Sequence, residues 1–576
     1  MNSKVESEWD PPKGGFMSLH GDGLASRIRR RLPDSWQAGV ALVALLLALP
    51  ILTVFGHLFV PAGDVWGHLV DTVLADYVGN SLVLMAGVGV GTLLLGVGSA
   101  WLTSLCDFPG RRVFEWALLL PLAVPAYIIA YTYTGLLDFT GPVQTTLRET
   151  FGWSYGDYWF PEIRSLGGAV AMLSLVLYPY VYLMARAAFL EQSVAVLEVS
   201  RTLGAGPWRS FFRVALPLAR PAIATGVSLA LMETLADYGT VEYFGVSTFT
   251  TGIFRTWFGL GDATAAAQLA AMLLGFVFVL ILLEHWSRRR ARFHQATQRY
   301  QTLPRYRLQG WRRWAAVAGC AFPLLLGFVV PAGQLSAWAV RTAGRTVDSD
   351  FFELTLNSMG LAAGAALVTL LLALFMAYGK RLRRGPIVNT AVRVAGMGYA
   401  IPGTVIAIGV MLPLARVDQA LDAWSVEVFG ISTGLLLSGT LFALLFAYAV
   451  RFLAVSLQAV EGGLGRIRPS MDDAARSLGL RPTQVLRRVH MPVMRGTLLT
   501  ALLLVFVDVL KELPATLVLR PFNFNTLAVR TFELASDERL ADASSAALTI
   551  VLAGIVPVIL LSRSIGRSRA GQKHAA

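Results

Sequence analysis

Long apolar blocks constrain this chain more than any other feature. About twelve blocks occur along the 576 residues, each with roughly the 20 residues that a helix needs to cross a hydrocarbon core of about 30 Å. Because lipid offers no hydrogen-bond partners, backbone of this kind is expected to be helical. The sequence therefore predicts an all-α polytopic membrane protein. The blocks lie near 37–59, 80–104, 114–136, 167–189, 219–241, 264–284, 313–333, 355–379, 387–413, 431–454, 494–516 and 543–562.

Composition agrees with this interpretation, since 55% of the residues are hydrophobic and only 15% are charged. Soluble domains typically carry more charge. The first block follows an arginine cluster at 27–31, but it is too long for the apolar region of a signal peptide, so we interpret it as a permanent span. The two cysteines, Cys106 and Cys320, predict neither a disulfide nor a thiolate metal site.

The distribution of Lys and Arg predicts the orientation in the membrane. When loops are assigned alternately to two sides, most of the 49 basic residues fall on the side of both termini, which is therefore expected to be cytoplasmic. The richest segment is 287–313. The opposite side has an excess of acids, which would concentrate cations there. Inside the spans we place only two bases, Lys511 and Arg393.

An internal repeat divides the chain into two halves. Residues 80–96 resemble 357–373 at an offset of 277, and residues 198–217 resemble 473–492 at an offset of 275. With six spans each, both halves have the same orientation, which is a parallel repeat with its pseudo-two-fold axis along the membrane normal. The predicted parts are a cytoplasmic tail 1–35, a first half 36–284 with its core at about 76–284, a basic linker 285–312, a second half 313–562 with its core at about 353–562, and a cytoplasmic tail 563–576.

The repeat is clearest in a cytoplasmic loop. Each copy has an acid, small residues, a glycine six positions after the acid, and a proline thirteen positions after the glycine. Gly204 and Gly479 are expected to end a helix in the left-handed conformation. A second, basic helix should follow, and Pro217 and Pro492 should mark the start of the next span. Such a loop suits docking to another protein. We interpret His490, in the second copy, as an ordinary loop residue.

These loops resemble the signature of the membrane subunits of ABC importers, which is Glu-Ala-Ala, then Gly, then Ile-x-Leu-Pro. In that family the loop couples the membrane subunit to the ATPase. The first copy departs more from the pattern, because Val and Ser replace the two alanines. The matching residues are Glu198, Gly204 and Pro217 in the first copy and Asp473, Ala474, Ala475, Gly479 and Pro492 in the second.

Two later segments make the resemblance more specific. The segments ETLADYGTVEYFGVSTFTTGIFRTW and KELPATLVLRPFNFNTLAVRTFELASDERL are similar to the fused two-half permeases of bacterial ferric-iron importers, and the similarity extends over nearly all of 80–562. It implies a multi-pass subunit of the bacterial inner membrane that receives Fe³⁺ from an extracytoplasmic iron-binding protein. It also implies two copies of an ABC ATPase on the cytoplasmic side.

The energy source is expected to be another chain. No Walker A motif, Gly-x-x-x-x-Gly-Lys-Ser/Thr, occurs in this sequence, so we expect a transporter subunit and not an enzyme. ATP would act on the partner ATPase. We expect no tightly bound cofactor and no nucleic-acid partner.

Two acids in the fifth span of the first half recur in the second half. Glu233 and Asp237 align with Asp508 and Glu512 at the offset of 275, and each pair has the spacing that places both acids on one helix face. An ionised carboxylate in a span is costly unless it is paired or faces water. With Tyr238, these acids form our hypothesis for a translocation pathway that binds a hard cation transiently.

Several alternatives remain open at this point. The acids would be structural if Lys511, Arg255 or Arg530 paired with them. Within the importer class, a thiamine or polyamine permease is possible, whereas sulfate fits poorly with four carboxylates. A proton-coupled secondary transporter is disfavoured by the two docking loops, and a membrane-embedded enzyme by the lack of a nucleophile and base set. The sequence does not distinguish bare Fe³⁺ from a chelate.

Overall fold

The structure is a computed structural model that describes residues 35–61, 63–154, 156–191, 206–289, 305–383 and 385–567. Two of the predicted docking residues, Glu198 and Gly204, lie outside the described residues, as do most of both predicted tails and the middle of the linker.

Nearly all described secondary structure is helical. In the first half the helices are α1 (Ser35–Gly56), α2 (Asp64–Thr72), α3 (Leu74–Leu105), α4 (Arg111–Ala117), α5 (Ala126–Leu137), α6 (Pro142–Phe151), α7 (Leu166–Glu191), α8 (Pro207–Ser210), α9 (Leu216–Ala236), α10 (Gly239–Tyr243), α11 (Phe249–Phe254) and α12 (Ala263–Arg289). In the second half they are α13 (Trp311–Leu324), α14 (Val330–Thr346), α15 (Ser349–Leu382), α16 (Pro386–Ala395), α17 (Gly403–Phe429), α18 (Leu441–Gly465), α19 (Pro469–Ser477), α20 (Pro482–Val485), α21 (Met491–Val493), α22 (Arg495–Leu510), α23 (Pro514–Leu519), α24 (Leu527–Ser536) and α25 (Leu540–Arg567).

The described helices confirm an all-α polytopic membrane protein. Ten helical segments are long and apolar enough to cross a membrane, and two bent pairs raise the number to as many as twelve. Each predicted block overlaps one of these segments or pairs. Short π-helical turns at Phe211–Ala215 and Leu486–His490 precede the fifth span of each half at the repeat offset of 275.

The third span of each half is broken, and here the predicted continuous blocks 114–136 and 387–413 are wrong. In the first half, the two helical parts meet at 92° just before Pro125. In the second half, α16 ends at Ala395 and α17 begins directly after Pro402. The cause is local, because a residue that precedes proline disfavours helical backbone. Val124 and Ile401 are accordingly extended.

The fifth span is also broken in both halves. Helix α9 ends at Ala236 and α22 at Leu510, and the short helices α10 and α23 follow after two or three residues. Pro514 opens α23 and cannot donate the backbone hydrogen bond that would continue the preceding helix. Asp237 and Glu512 therefore lie beyond the helices that carry Glu233 and Asp508. The prediction that each acid pair shares one continuous helix face is wrong.

The first span of each half packs against the opposite half. Helix α1 lies on α16 and α17, and Gly379 leaves room for Val40. In return, α13 and α14 contact α3, α4 and α5 of the first half, where the Tyr133 hydroxyl donates to the Leu326 carbonyl at 2.8 Å. The halves are thus interlocked by two crossing arms.

The linker does more than tether the halves. Its final part forms β2 (Tyr306–Arg307), which pairs in parallel with β1 (Cys106–Asp107) at the C-terminal end of α3. Its beginning is part of α12, which continues to Arg289.

We predict that a chain cut within 290–305 reassembles from two coexpressed halves. Each half has its own spans and topogenic charges, and the crossing arms and the β1–β2 pairing remain available after the cut. Co-purification of one half through a tag on the other measures this directly. Each half expressed alone serves as the control and should be degraded, since its apolar contact surface stays uncovered. Halves that insert stably but never associate would contradict the two-half architecture.

Candidate functional site

The broken third and fifth spans meet at one cavity of about 120 Å³, large enough for several water molecules. All five residues of the pathway hypothesis line it, together with two bases. Four carboxylates and two bases leave a formal surplus of two negative charges. The charged and phenolic residues in its wall include Glu233, Asp237, Tyr238, Asp508, Glu512, Arg451 and Lys511.

Two of the four carboxylates stabilise the interruptions of the fifth spans by accepting backbone hydrogen bonds. The Asp237 carboxylate accepts hydrogen bonds from the backbone N–H groups of Thr240 at 3.0 Å and Val241 at 3.2 Å. In the second half, Glu512 Oε1 accepts from the backbone N–H of Ala515 at 2.9 Å, the position that matches Thr240 in the repeat. Both acids therefore cap the first turn of the helix that follows the break, as side-chain acceptors do at helix N-termini.

Two bases of the cavity wall, both on the second half, pair with the second-half acids. Arg451 Nη1 lies 3.0 Å from Glu512 Oε1, and Lys511 Nζ lies 2.8 Å from Asp508 Oδ1. The prediction that Lys511 and Arg393 are the bases inside the spans is wrong because it missed Arg451. Arg451 lies near the end of the predicted block 431–454 and was counted with the adjoining loop, whereas α18 continues to Gly465 and places Arg451 well inside the helix.

Glu233 differs from the other three acids. Among the described residues it has no hydrogen bond or salt bridge, although Arg451 and Lys511 act on it electrostatically. Arg255 pairs instead with Glu242 at 3.5 Å, and the side chain of Arg530 is exposed, so neither supplies a partner.

Tyr238, the fifth member of the pathway hypothesis, packs in the cavity wall. Its ring stacks on Phe254 with centroids 3.8 Å apart. Nowhere in the part of the chain that the structure describes do three or more His, Cys, Asp or Glu side chains converge to hold a metal ion. The arrangement is a charged cavity in which one acid, Glu233, has neither a hydrogen bond nor a salt bridge among the described residues.

The second docking loop has the predicted glycine geometry. Helix α19 ends at Ser477, and Gly479 has a φ of 81°. The N–H of Gly479 donates to Arg476 O at 2.9 Å and that of Leu480 to Ala475 O at 3.2 Å, which is the double hydrogen bond of a Schellman motif. The left-handed glycine is confirmed here. Asp473 and Ala474 are exposed on α19, whereas Ala475 is buried.

The two prolines differ in their relation to the fifth spans: Pro217 is the second residue of α9, as predicted, whereas Pro492 lies in the short helix that precedes α22. Pro217 lies in a helical stretch that runs from Trp208 to Ala236, directly after the π turn. Pro492 lies in α21, and the chain bends by 82° around Met494 before α22 begins. A π turn changes the hydrogen-bond register of the helix, so the missing proline N–H is accommodated without ending it.

A buried polar cluster attaches the second docking loop to the spans. Arg381, at the end of α15, donates to Asp472 at 2.8 Å and to the carbonyl of Leu464 at 2.6 Å. His490 Nε2 lies 2.7 Å from the other Asp472 oxygen. His490 is fully buried, so its interpretation as an ordinary loop residue is wrong.

Burial raises the pKa of Asp472, but the hydrogen bonds from Arg381 and His490 outweigh burial and hold that pKa below its ordinary value. Sequence reasoning selected Asp473 from the motif and missed its neighbour Asp472. The one available signal was a pair of adjacent acids, of which only one can point outward on a short helix.

These features define a two-half permease with a charged cavity between its halves. The family model described as "Binding-protein-dependent transport system inner membrane component" matches residues 33–292 and 369–569. The chain belongs to this family. Its members work with a binding protein and an ATPase.

Individual relatives show which transport proteins the chain is similar to over most of its length and which it matches only in part. The chain is 25% identical to the Fe(3+)-transport system permease protein FbpB 2 of Haemophilus influenzae over 92% of this chain and 99% of that protein. It is 23% identical to the ferric transport system permease protein FbpB of Actinobacillus pleuropneumoniae over 83% of this chain and 70% of that protein. The molybdenum transport system permease protein ModB of Escherichia coli is 28% identical, but over only 35% of this chain and 87% of its own length.

The Gly479→Val variant tests the docking loop. No atom lies within 4 Å of the Cβ that it adds, so its effect comes from the positive φ, which costs a β-branched residue roughly 1–2 kcal/mol. We expect weaker co-purification of the ATPase subunit, with the permease still inserted. Gly479→Asn is the matched control, because asparagine tolerates the left-handed conformation. Normal ATPase association and transport in a Gly204→Val/Gly479→Val variant would contradict the docking role.

The Asp472→Asn variant tests the polar cluster. Removing one partner of a buried ion pair typically costs about 3 kcal/mol, so the thermal unfolding temperature of the purified permease should fall. Since the folded pKa of Asp472 is depressed, its contribution is present above the unfolded pKa and is lost as pH falls through the folded pKa. Asp473→Asn makes the same charge change at an exposed neighbour and should leave the unfolding temperature near the parent value. Equal effects of the two substitutions would contradict the assignment.

Proposed function

We propose that this chain is the permease subunit of an ATP-driven importer of iron(III). The observation that carries the proposal is its similarity, over 92% of its length, to a complete Fe(3+)-transport permease. The surplus of two negative charges around the central cavity supports a cationic substrate. An oxyanion such as molybdate would be repelled there, and the molybdenum permease matches only about a third of this chain.

Two copies of an ABC ATPase would dock on the cytoplasmic side, one at each glycine-centred loop, and an extracytoplasmic iron-binding protein would deliver the metal. Exposed Asp473 and Ala474 on α19 support docking at the second loop, because they leave one face of a rigidly held helix open to a partner. The excess of Lys and Arg in the terminal segments and in the linker supports a bacterial inner-membrane protein with both termini in the cytoplasm. ATP would act on the partner, with no cofactor bound tightly to this chain.

The four carboxylates divide into two kinds under this proposal. Asp237 and Glu512 maintain the broken fifth spans, since their oxygens are engaged by backbone N–H groups. Glu233 and Asp508, which match each other in the repeat, would contact the cation. Glu233 has no direct partner among the described residues, and Asp508 forms a salt bridge only with the partly exposed Lys511. Tyr238 would shape the wall beside them.

Transient contact suits the chemistry of a conduit. Iron(III) is a hard cation that prefers oxygen ligands, and carboxylates supply them. A conduit must also release what it admits, so a pair of acids is more suitable than a closed set of ligands. The low-dielectric surroundings make the excess negative charge costly, and a passing cation removes part of that cost.

The Glu233→Gln/Asp508→Asn variant tests the pathway in vesicles that contain the permease, the ATPase and the loaded binding protein. We expect ATP-dependent uptake of labelled iron to fall at least about tenfold, because the charge that offsets the cation is gone. Complex yield and basal ATP hydrolysis should stay near the parent values. The matched control, Asp237→Asn/Glu512→Gln, removes two charges from the same cavity but weakens helix caps, so it should lower the yield of folded protein first.

Competition in the same vesicles identifies the substrate class. Excess molybdate, thiamine or spermidine should leave iron uptake unchanged, and omission of ATP should abolish it. Parental iron uptake by the well-folded Glu233→Gln/Asp508→Asn variant would contradict the pathway role. Uptake driven by a proton gradient without ATP would contradict the importer mechanism.

A further inference from the structure

The two halves contribute unequally to the central cavity. At the repeat offset of 275, Arg451 corresponds to Val176 and Lys511 corresponds to Ala236, and all four residues line the cavity. The first half therefore supplies two acids and no base, whereas the second supplies two acids and two bases. Duplication does not explain this difference, so the bases have a task that the symmetric acids do not share.

The two ion pairs differ in how firmly they are held. The Arg451 and Glu512 side chains are only 9% and 5% exposed, and the same Glu512 oxygen accepts the Ala515 N–H. Gly403 presses against both, and a Cβ at this position would collide with them. This pair is a fixed part of the wall.

Lys511 and Asp508 are placed more loosely. Their side chains are 29% and 19% exposed, and Asp508 has no other hydrogen bond or ion pair within the described ranges. Lysine carries its charge on a flexible four-carbon stem with rotatable donors, unlike the rigid fork of arginine. Lys511 also acts electrostatically on Glu233, so one ammonium on a flexible stem acts on both acids that do not cap a helix.

A further residue of the cavity wall also has an unsatisfied polar atom. The Tyr127 side chain lines the cavity and is 5% exposed, yet its hydroxyl has no hydrogen-bond partner among the described residues. Buried hydroxyls are normally satisfied by protein or water. Tyr127, Glu233 and Asp508 are therefore cavity-lining residues whose side-chain oxygens have no partner or, at Asp508, only Lys511.

We propose that Lys511 is a tethered counter-ion that occupies, in the resting transporter, the place that a trivalent cation takes beside Asp508 and Glu233. The inference rests on the proposed cation-conducting function. An arriving cation would displace the ammonium from Asp508, and its departure would let the ammonium return. Asp508 would then always have a positive charge beside it, either the ammonium or the cation, and the returning ammonium would help to release the cation.

Binding of Tb³⁺, a hard trivalent cation whose luminescence nearby tyrosines sensitise, tests this proposal in the complete complex in lipid nanodiscs. Lys511→Met should bind Tb³⁺ at least about tenfold more tightly than the parent, because a competing positive charge is removed. Lys511→Arg should resemble the parent. Asp508→Asn/Lys511→Met should return to the parental affinity. An unchanged or weaker Tb³⁺ affinity in a folded Lys511→Met complex would overturn the proposal.

A second variant keeps the test decisive if Lys511→Met fails to assemble. Lys511→Cys should also bind Tb³⁺ tightly, and treatment with aminoethyl methanethiosulfonate, which restores an ammonium group there, should remove the gain. No effect of this treatment on Tb³⁺ affinity would overturn the proposal. Arg451→Met is the control for a fixed pair and should lower complex yield without producing a tight site. Failure of the parent to import iron would contradict the proposed function, but the Tb³⁺ comparison would still decide the role of Lys511.

Discussion

The capping of a broken helix by a carboxylate, at Asp237 and again at Glu512, determines the centre of this protein. A helix that ends inside a membrane leaves backbone groups unsatisfied, and lipid cannot compensate them. The two acids satisfy the first N–H groups of the next helix and so make the interruption stable. The break in turn opens the space that the third spans, themselves interrupted at Pro125 and Pro402, complete as a cavity.

The internal repeat gives both halves the same arrangement of helices, whereas the charged residues around that arrangement differ between the halves. Both halves repeat the π turn, the broken spans and the paired acids. Only the second half adds Arg451 and Lys511 to the cavity. The same contrast holds at the predicted docking loops: Arg381 and His490 hold Asp472 of the second loop, whereas Ser104 and Ala215 occupy the matching positions of the first half.

The hydropathy, the distribution of charge and the internal repeat predicted the architecture from the sequence. Hydropathy and charge do so because each residue of a span must suit its lipid surroundings. The same patterns could not locate the helix breaks, since an acid four residues after another fits a continuous helix and a capped break equally well. Arg451 was missed because it lies near the end of its predicted block and was counted with the adjoining loop, whereas α18 continues to Gly465. Asp472 was missed because its partner Arg381 lies 91 residues away, and no local pattern encodes such a contact.

The central claim is that iron passes between Glu233 and Asp508. The most direct measurement is anomalous diffraction at the iron absorption edge from crystals of the complete complex, trapped with its ATPase and loaded binding protein before metal release. The account predicts an iron peak in the central cavity, within coordination distance of both carboxylates and absent from the Glu233→Gln/Asp508→Asn complex. Iron in a different passage of the permease, or an unchanged cavity peak in that variant, would contradict it.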